Sequence, residues 1–215
     1  MKQILSILFL ILFSATQAQD PDRFKDELVE IDERYNSVWD SSKETVVFTG
    51  SSSVRMWHNL QELFPEYQIV NTGFGGSHAS DLLFHLNPLV LKYSPKKVFI
   101  YEGDNDLSAK KKVKDIIATT KEIIAQIKSA NQSTQIVLIS AKPSIARWNL
   151  KGKYKRLNRK MSKLAAKDAN VEYSGIWKTM LAKRKLKKEI FIKDGLHMNA
   201  KGYDLWYDVI KNYMN

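Results

Sequence analysis

The run Asp194-Gly195-Leu196-His197 places an acid three residues ahead of a histidine. An acid at that spacing can hold one imidazole nitrogen and leave the other free as a base. His58, His78 and His85 have no acid in that position. A base of this kind needs a hydroxyl to act on. Gly50-Ser51-Ser52-Ser53 offers three, where a β-rich run gives way to Val54-Arg55-Met56-Trp57. A strand-to-helix turn exposes a serine and aims backbone N–H groups at it. The segment Asn71-Thr72-Gly73-Phe74-Gly75-Gly76-Ser77 brings glycines, which allow close backbone approach and can present N–H groups to an anion. Glu102-Gly103-Asp104-Asn105-Asp106 adds a side-chain amide, a fixed dipole for a developing oxyanion. Each block taken singly has a plainer use, as a polar loop, a flexible turn, an Asx cap or a structural histidine. The glycines are too loosely spaced for a dinucleotide fingerprint. The acids at 102–106 have no matching histidine that would suggest a metal site.

The elements that must position these blocks are legible from periodicity. Thr45–Gly50, Gln68–Asn71, Lys97–Tyr101 and Gln135–Ser140 are short apolar runs, as expected for strands covered on both faces; Val171–Tyr173 is a weaker fifth. An acidic helix is expected over about Asp22–Tyr35. Leu82, Leu83, Leu86, Leu89 and Val90 share one helical face after the cap candidate Ser80. Val113, Ile116, Ile117, Ile123, Ile124 and Ile127 share another, and Leu157, Met161 and Leu164 line a very basic helix. Tyr203, Trp206, Tyr207, Ile210 and Tyr213 line the last. Strands alternating with helices imply a parallel sheet with helices on both faces, whose ligands bind beyond the carboxyl ends of the strands.

Serine, glycine, asparagine and aspartate–histidine thus follow one another in chain order at the ends of successive strand units. In that order the chain resembles the SGNH (GDSL-like) acylhydrolase family, over roughly Val46 to Tyr203. The family's blocks usually read Gly-Asp-Ser-Leu, a glycine, Gly-x-Asn-Asp and Asp-x-x-His. By position the resemblance implies Ser52 as nucleophile, His197 as base and Asp194 as its orienting acid. It implies an oxyanion hole from Ser52, Gly76 and Asn105. The first block departs from the family pattern: Ser51 stands where aspartate is usual and Ser53 where an aliphatic residue is usual. Ser140–Trp148 resembles a substrate-side loop near the platelet-activating-factor acetylhydrolase branch, so Lys142 and Arg147 are expected to bind substrate. The implied fold is a three-layer α/β/α sandwich, flavodoxin-like, with a five-stranded parallel sheet. The implied activity is that of a serine esterase acting through an acyl-enzyme on short-chain or acetyl esters of carbohydrate or lipid. Neither a cofactor nor a metal is expected.

Composition bounds the rest. Lys2, the apolar run Ile4–Phe13 and Thr16-Gln17-Ala18 form a signal peptide expected to be cleaved after Ala18. Residues 19–215 then form a single exported domain, periplasmic or extracellular, with no membrane-spanning segment. The chain has no cysteine, so neither disulfides nor thiol chemistry is available. Its net charge of +11 is unevenly spread. Asp20–Glu44 carries nine acids against four bases, and Lys142–Lys188 carries sixteen bases against two acids. Such a block can mark an acidic partner or a set of solvated helix faces. It keeps open an alternative function, a non-catalytic polyanion- or glycan-binding module on the same fold. A small-molecule or glycan ester is the expected partner, and nucleic acid is not.

Overall fold

A computed structural model describes residues 22–214, and the expected signal peptide at 1–18 lies outside the described residues. The described residues open with helix α1 (Lys25–Asn36) and strand β1 (Thr45–Gly50), then short helices α2 (Ser52–Arg55) and α3 (Leu60–Leu63). Strand β2 (Gln68–Gly73) leads through α4 (Ala79–Phe84) and α5 (Leu86–Leu89) to β3 (Lys97–Tyr101). Helices α6 (Asp104–Ser108) and α7 (Val113–Ala130) precede β4 (Gln135–Ile139). Helix α8 (Lys151–Ala165) precedes β5 (Val171–Ser174), a small hairpin β6 (Leu181–Ala182) and β7 (Lys185–Leu186), and the last helix α9 (Ala200–Ile210).

The main sheet has five parallel strands in the order β2-β1-β3-β4-β5. The expected strands recur with their ends moved by at most two residues, because β1 and β3 are buried along their whole length and so read as unbroken apolar runs. Alternate residues serve opposite faces. Val47, Val70, Val98 and Leu138 pack with α1, α4, α5, α7 and α8. Phe48, Ile69, Phe99 and Val137 pack with α2, α3 and α9, where Phe48 and Phe99 stack at 4.4 Å. This is the three-layer α/β/α sandwich.

The strand order reverses at β1, whose neighbours are β2 and β3. That switch point opens a crevice beyond the carboxyl ends of β1 and β3, where Ser52 and Asn105 follow.

Two details depart from the sequence pattern. The apolar face over Leu82–Val90 is split into α4 and α5 at His85. Pro88 supplies the cause: its ring clashes with the carbonyl four residues earlier, that of Phe84, where α4 stops. The hairpin β6–β7 has no turn signal of glycine or asparagine; its two loop residues, Lys183 and Arg184, both adopt positive φ.

Candidate active site

The turn after β1 is built on glycine. Gly50 has φ +120°, and a Cβ there would stand 2.1 Å from the carbonyl oxygen of Tyr101. Its absence lets the Ser51 N–H donate to that carbonyl at 3.0 Å, which tightens the turn so that Ser51 caps α2 and Ser52 begins it. Gly73 does the same from β2, where a Cβ would lie 2.2 Å from the backbone nitrogen of Arg55. Asn71 donates to the carbonyls of Val54 and Trp57, and the Tyr203 hydroxyl donates to that of Ser53 at 3.0 Å. Of the three serines, Ser51 and Ser53 are buried and Ser52 is half-buried with its hydroxyl toward the crevice.

The Ser52 Oγ lies 2.9 Å from His197 Nε2, and His197 Nδ1 lies 2.5 Å from Asp194 Oδ2. Assigning the ring proton to Nδ1, which donates to the carboxylate, leaves Nε2 as the acceptor facing the serine. The Asp194 carboxylate also accepts the backbone N–H groups of Leu196 and His197 at 2.8 and 2.9 Å. Partial burial raises its pKa, but the His197 ring and these two N–H groups outweigh that and hold it at about 2. Asp194 is therefore ionised wherever the imidazole works. The other histidines sit elsewhere: His58 is exposed, His85 is buried, and His78 lies 3.5 Å from Asp81 at the start of α4.

Asn105 lies in α6, which opens after Gly103 at φ +99°. Its Nδ2 donates to Ser51 Oγ at 2.6 Å and to the Ser77 carbonyl at 2.9 Å. Its Oδ1 accepts from Arg147 Nη2 at 3.0 Å, which fixes the amide so that its donors face the serine turn. Gly76 has φ +70°, its carbonyl accepts from Arg23, and among the described residues its N–H meets no acceptor. Beneath it, Ser77 Oγ donates to the buried Glu102 carboxyl at 2.6 Å. Burial pushes the Glu102 pKa well up, with the nearby Asp106 carboxylate adding to the shift, and Glu102 Oε2 has no partner among the described residues.

Lys142 and Arg147, expected to bind substrate, both pair with Asp104, Lys142 from a fully buried position and Arg147 from a half-buried one beside Asn105. Lys142 is 0% exposed. Its Nζ donates to the Leu196 carbonyl at 2.7 Å and lies 3.5 Å from Asp104 Oδ2. Arg147 is half-buried, and its Nη1 donates to Asp104 Oδ1 at 2.5 Å. Tyr101 and Tyr154 donate their hydroxyls to the same carboxylate. Burial raises the Asp104 pKa, but the two cations and the Tyr154 hydroxyl bring it down to about 2. The lysine points inward to the Asp104 carboxylate, and an ammonium is buried only when paired. The cluster ties Leu196, beside His197, to the α6 turn that carries Asn105. Asp104 and Tyr154 were missed in the sequence. The available signal was Tyr154 itself, an aromatic at helical spacing from Leu157 and Met161 on the apolar face of a basic helix.

A profile of the family described as GDSL-like Lipase/Acylhydrolase matches residues 37–205. No curated protein matches the chain. Among solved structures, a Streptococcus pneumonia protein with the provisional description platelet activating factor is 25% identical. That match has a TM-score of 0.77 and covers 89% of this chain and 94% of the other. A GDSL-like lipase from Bacteroides thetaiotaomicron is 20% identical, with a TM-score of 0.70 and coverage of 90% and 96%. An acetyl-xylooligosaccharide esterase from Geobacillus Stearmophilus is 16% identical, with a TM-score of 0.66 and coverage of 80% and 94%.

Proposed function

The chain belongs to the GDSL-like lipase/acylhydrolase family and is a carboxylic ester hydrolase, and from that premise we propose that it removes short acyl groups, acetyl first among them, from carbohydrate esters through an acyl-enzyme on Ser52. The observation that carries this reading is the hydrogen-bonded relay from Ser52 through His197 to Asp194. The acetyl-xylooligosaccharide esterase among the structural neighbours supports the choice of substrate.

In the first half-reaction Ser52 Oγ attacks the ester carbonyl carbon and its proton passes to His197 Nε2. The carbonyl oxygen becomes an oxyanion. The N–H groups of Ser52 and Gly76 and the Nδ2 of Asn105 receive it, the amide exchanging its bond to Ser51 Oγ for one to the oxyanion. The Asp194 carboxylate stabilises the imidazolium. The carbon–oxygen bond to the alcohol then breaks, and His197 protonates the departing oxygen. In the second half-reaction water attacks the acyl-enzyme, gives its proton to His197, and the Ser52 oxygen leaves with that proton as the acid is released.

The test is a panel of p-nitrophenyl esters of rising chain length beside acetylated xylan, with fluorophosphonate labelling of the same protein. Hydrolysis steepest for the acetyl ester, and a label on Ser52, are the expected results. Preference for long acyl chains would reject the short-acyl reading, and no label with no hydrolysis would reject the catalytic one. The composition of residues 1–18 further supports export to the periplasm or the exterior. Amino-terminal sequencing of secreted protein should begin at Gln19.

A further inference from the structure

A groove of about 800 Å³ runs between the start of α8 and the β6–β7 hairpin. Ile145 and Trp148 form its apolar wall, and Lys151, Arg184, Lys185 and Lys188 surround it against the single acid Glu189. Among the described residues none of these four cations belongs to an ion pair. Lys151 Nζ lies 5.1 Å from the centre of the Trp148 ring. The groove wall abuts the loop that carries the relay: a Cβ on Gly195 would lie 3.0 Å from that of Ile145. The residue after Ile145, Ala146, donates its N–H to the Gly195 carbonyl at 3.0 Å, and Gly195 follows Asp194 in the chain, two residues before His197.

The hairpin adds an independent observation. A two-residue hairpin loop with both residues at positive φ ordinarily takes Asn-Gly, since other residues are strained there. Here the two positions are Lys183 and Arg184, at φ 45° and 70°. Two long cationic residues in an unfavoured backbone conformation, one of them lining a cationic groove, point to a function for those side chains.

We propose that this groove is a subsite for a carboxylate-bearing glycan, a chain containing uronic acid units, which it holds with one end at Ser52. The charge sets the sign of the ligand. The shape selects its class: the cations stand on two elements flanking a groove, which suits anions spaced along a narrow chain better than a planar lipid surface. Exposed Ile145, with Trp148 beside it, offers an apolar wall to sugar rings. The catalytic consequence rests on the ester-hydrolase reading, but binding does not, and the two are measured separately.

The experiment is calorimetric titration of the Ser52→Ala protein with tetragalacturonate and with xylotetraose. Tetragalacturonate should bind at least tenfold more tightly than xylotetraose, and more weakly as salt rises from about 0.05 to 0.5 M. Arg184→Gln/Lys185→Gln/Lys188→Gln should lose at least tenfold in that affinity. A control that removes three exposed charges elsewhere, Lys110→Gln/Lys112→Gln/Lys114→Gln, should lose less than twofold. Melting curves of both variants confirm that each is folded. Equal affinity for the two sugars, or equal losses in the two triple variants, would overturn the proposal. So would tight binding to phosphatidylglycerol vesicles or single-stranded DNA without binding to tetragalacturonate. Fluorophosphonate labelling of the unaltered protein reports on the catalytic reading independently of all these outcomes.

Discussion

The buried cluster around Asp104 makes a demand that a substrate-binding pair would not. Replacing Asp104 by Asn leaves Lys142, which is 0% exposed, and Arg147 facing one another without their shared carboxylate. Breaking a buried pair from one side costs about 3–5 kcal/mol. For a domain of this size about 1 kcal/mol moves Tm by roughly 2–4 °C, so Asp104→Asn should melt about 6–20 °C lower. Lys142→Met keeps the volume and removes the charge. Asp104 retains Arg147 and two tyrosine hydroxyls, but the Leu196 carbonyl loses its donor, a loss of about 1–3 kcal/mol, or roughly 2–12 °C. The double variant should melt higher than the sum of the two losses, with a coupling of about 0.5–3 kcal/mol, because each change removes the other's uncompensated partner. The acid side gives a second readout. The folded Asp104 carboxyl lies at about 2 against an ordinary 3.8, so its stabilisation is present above pH 3.8 and is lost as the pH falls through 2. Asp104→Asn should lack that part of the acid-side loss. The assay is thermal melting of the four proteins from pH 7 to pH 2, with kinetics on p-nitrophenyl acetate at pH 7. An unchanged Tm in Lys142→Met with a raised KM would refute the reasoning and return Lys142 to the substrate.

Ser52→Ala should lower kcat by about 10⁴–10⁶, while Ser51→Ala keeps most activity because it only frees one Asn105 donor; a fluorophosphonate adduct mapped to Ser51 or Ser53 contradicts this. Asn105→Ala should cost about 10²–10³ in kcat with a smaller change in KM, and a loss of Tm with unchanged specific activity would reduce the amide to a turn cap. Burial holds the folded Glu102 carboxyl above its ordinary 4.5, so the stability it lends is full below that pH and is lost as the pH rises through the folded value. Glu102→Gln, which still accepts from Ser77, should therefore gain stability over the unaltered protein as the pH rises; parallel pH–Tm curves would show that the acid is not held neutral.

The sequence by itself determined the frame and most of the site. Strands such as Thr45–Gly50 and Lys97–Tyr101 are covered on both faces, so their burial is written as unbroken apolar runs. Their ends are written as glycine and polar residues, and chain order carried Ser52, Gly76, Asn105, Asp194 and His197 to one edge of a parallel sheet. The Asp194–His197 contact is three residues long and so was local enough to read. Tertiary structure decided what depends on direction. Ser51, Ser52 and Ser53 are alike in type, and only the turn at Gly50 and the packing of α2 bury the first and third. Lys142 reads as one more cation in a block of sixteen. It points inward because Asp104, 38 positions away, and the Leu196 carbonyl, 54 away, meet it there. A buried charge is spelled with the same letter as a solvated one. What separates them is a partner brought near by the fold, and that distance is not encoded in local spacing.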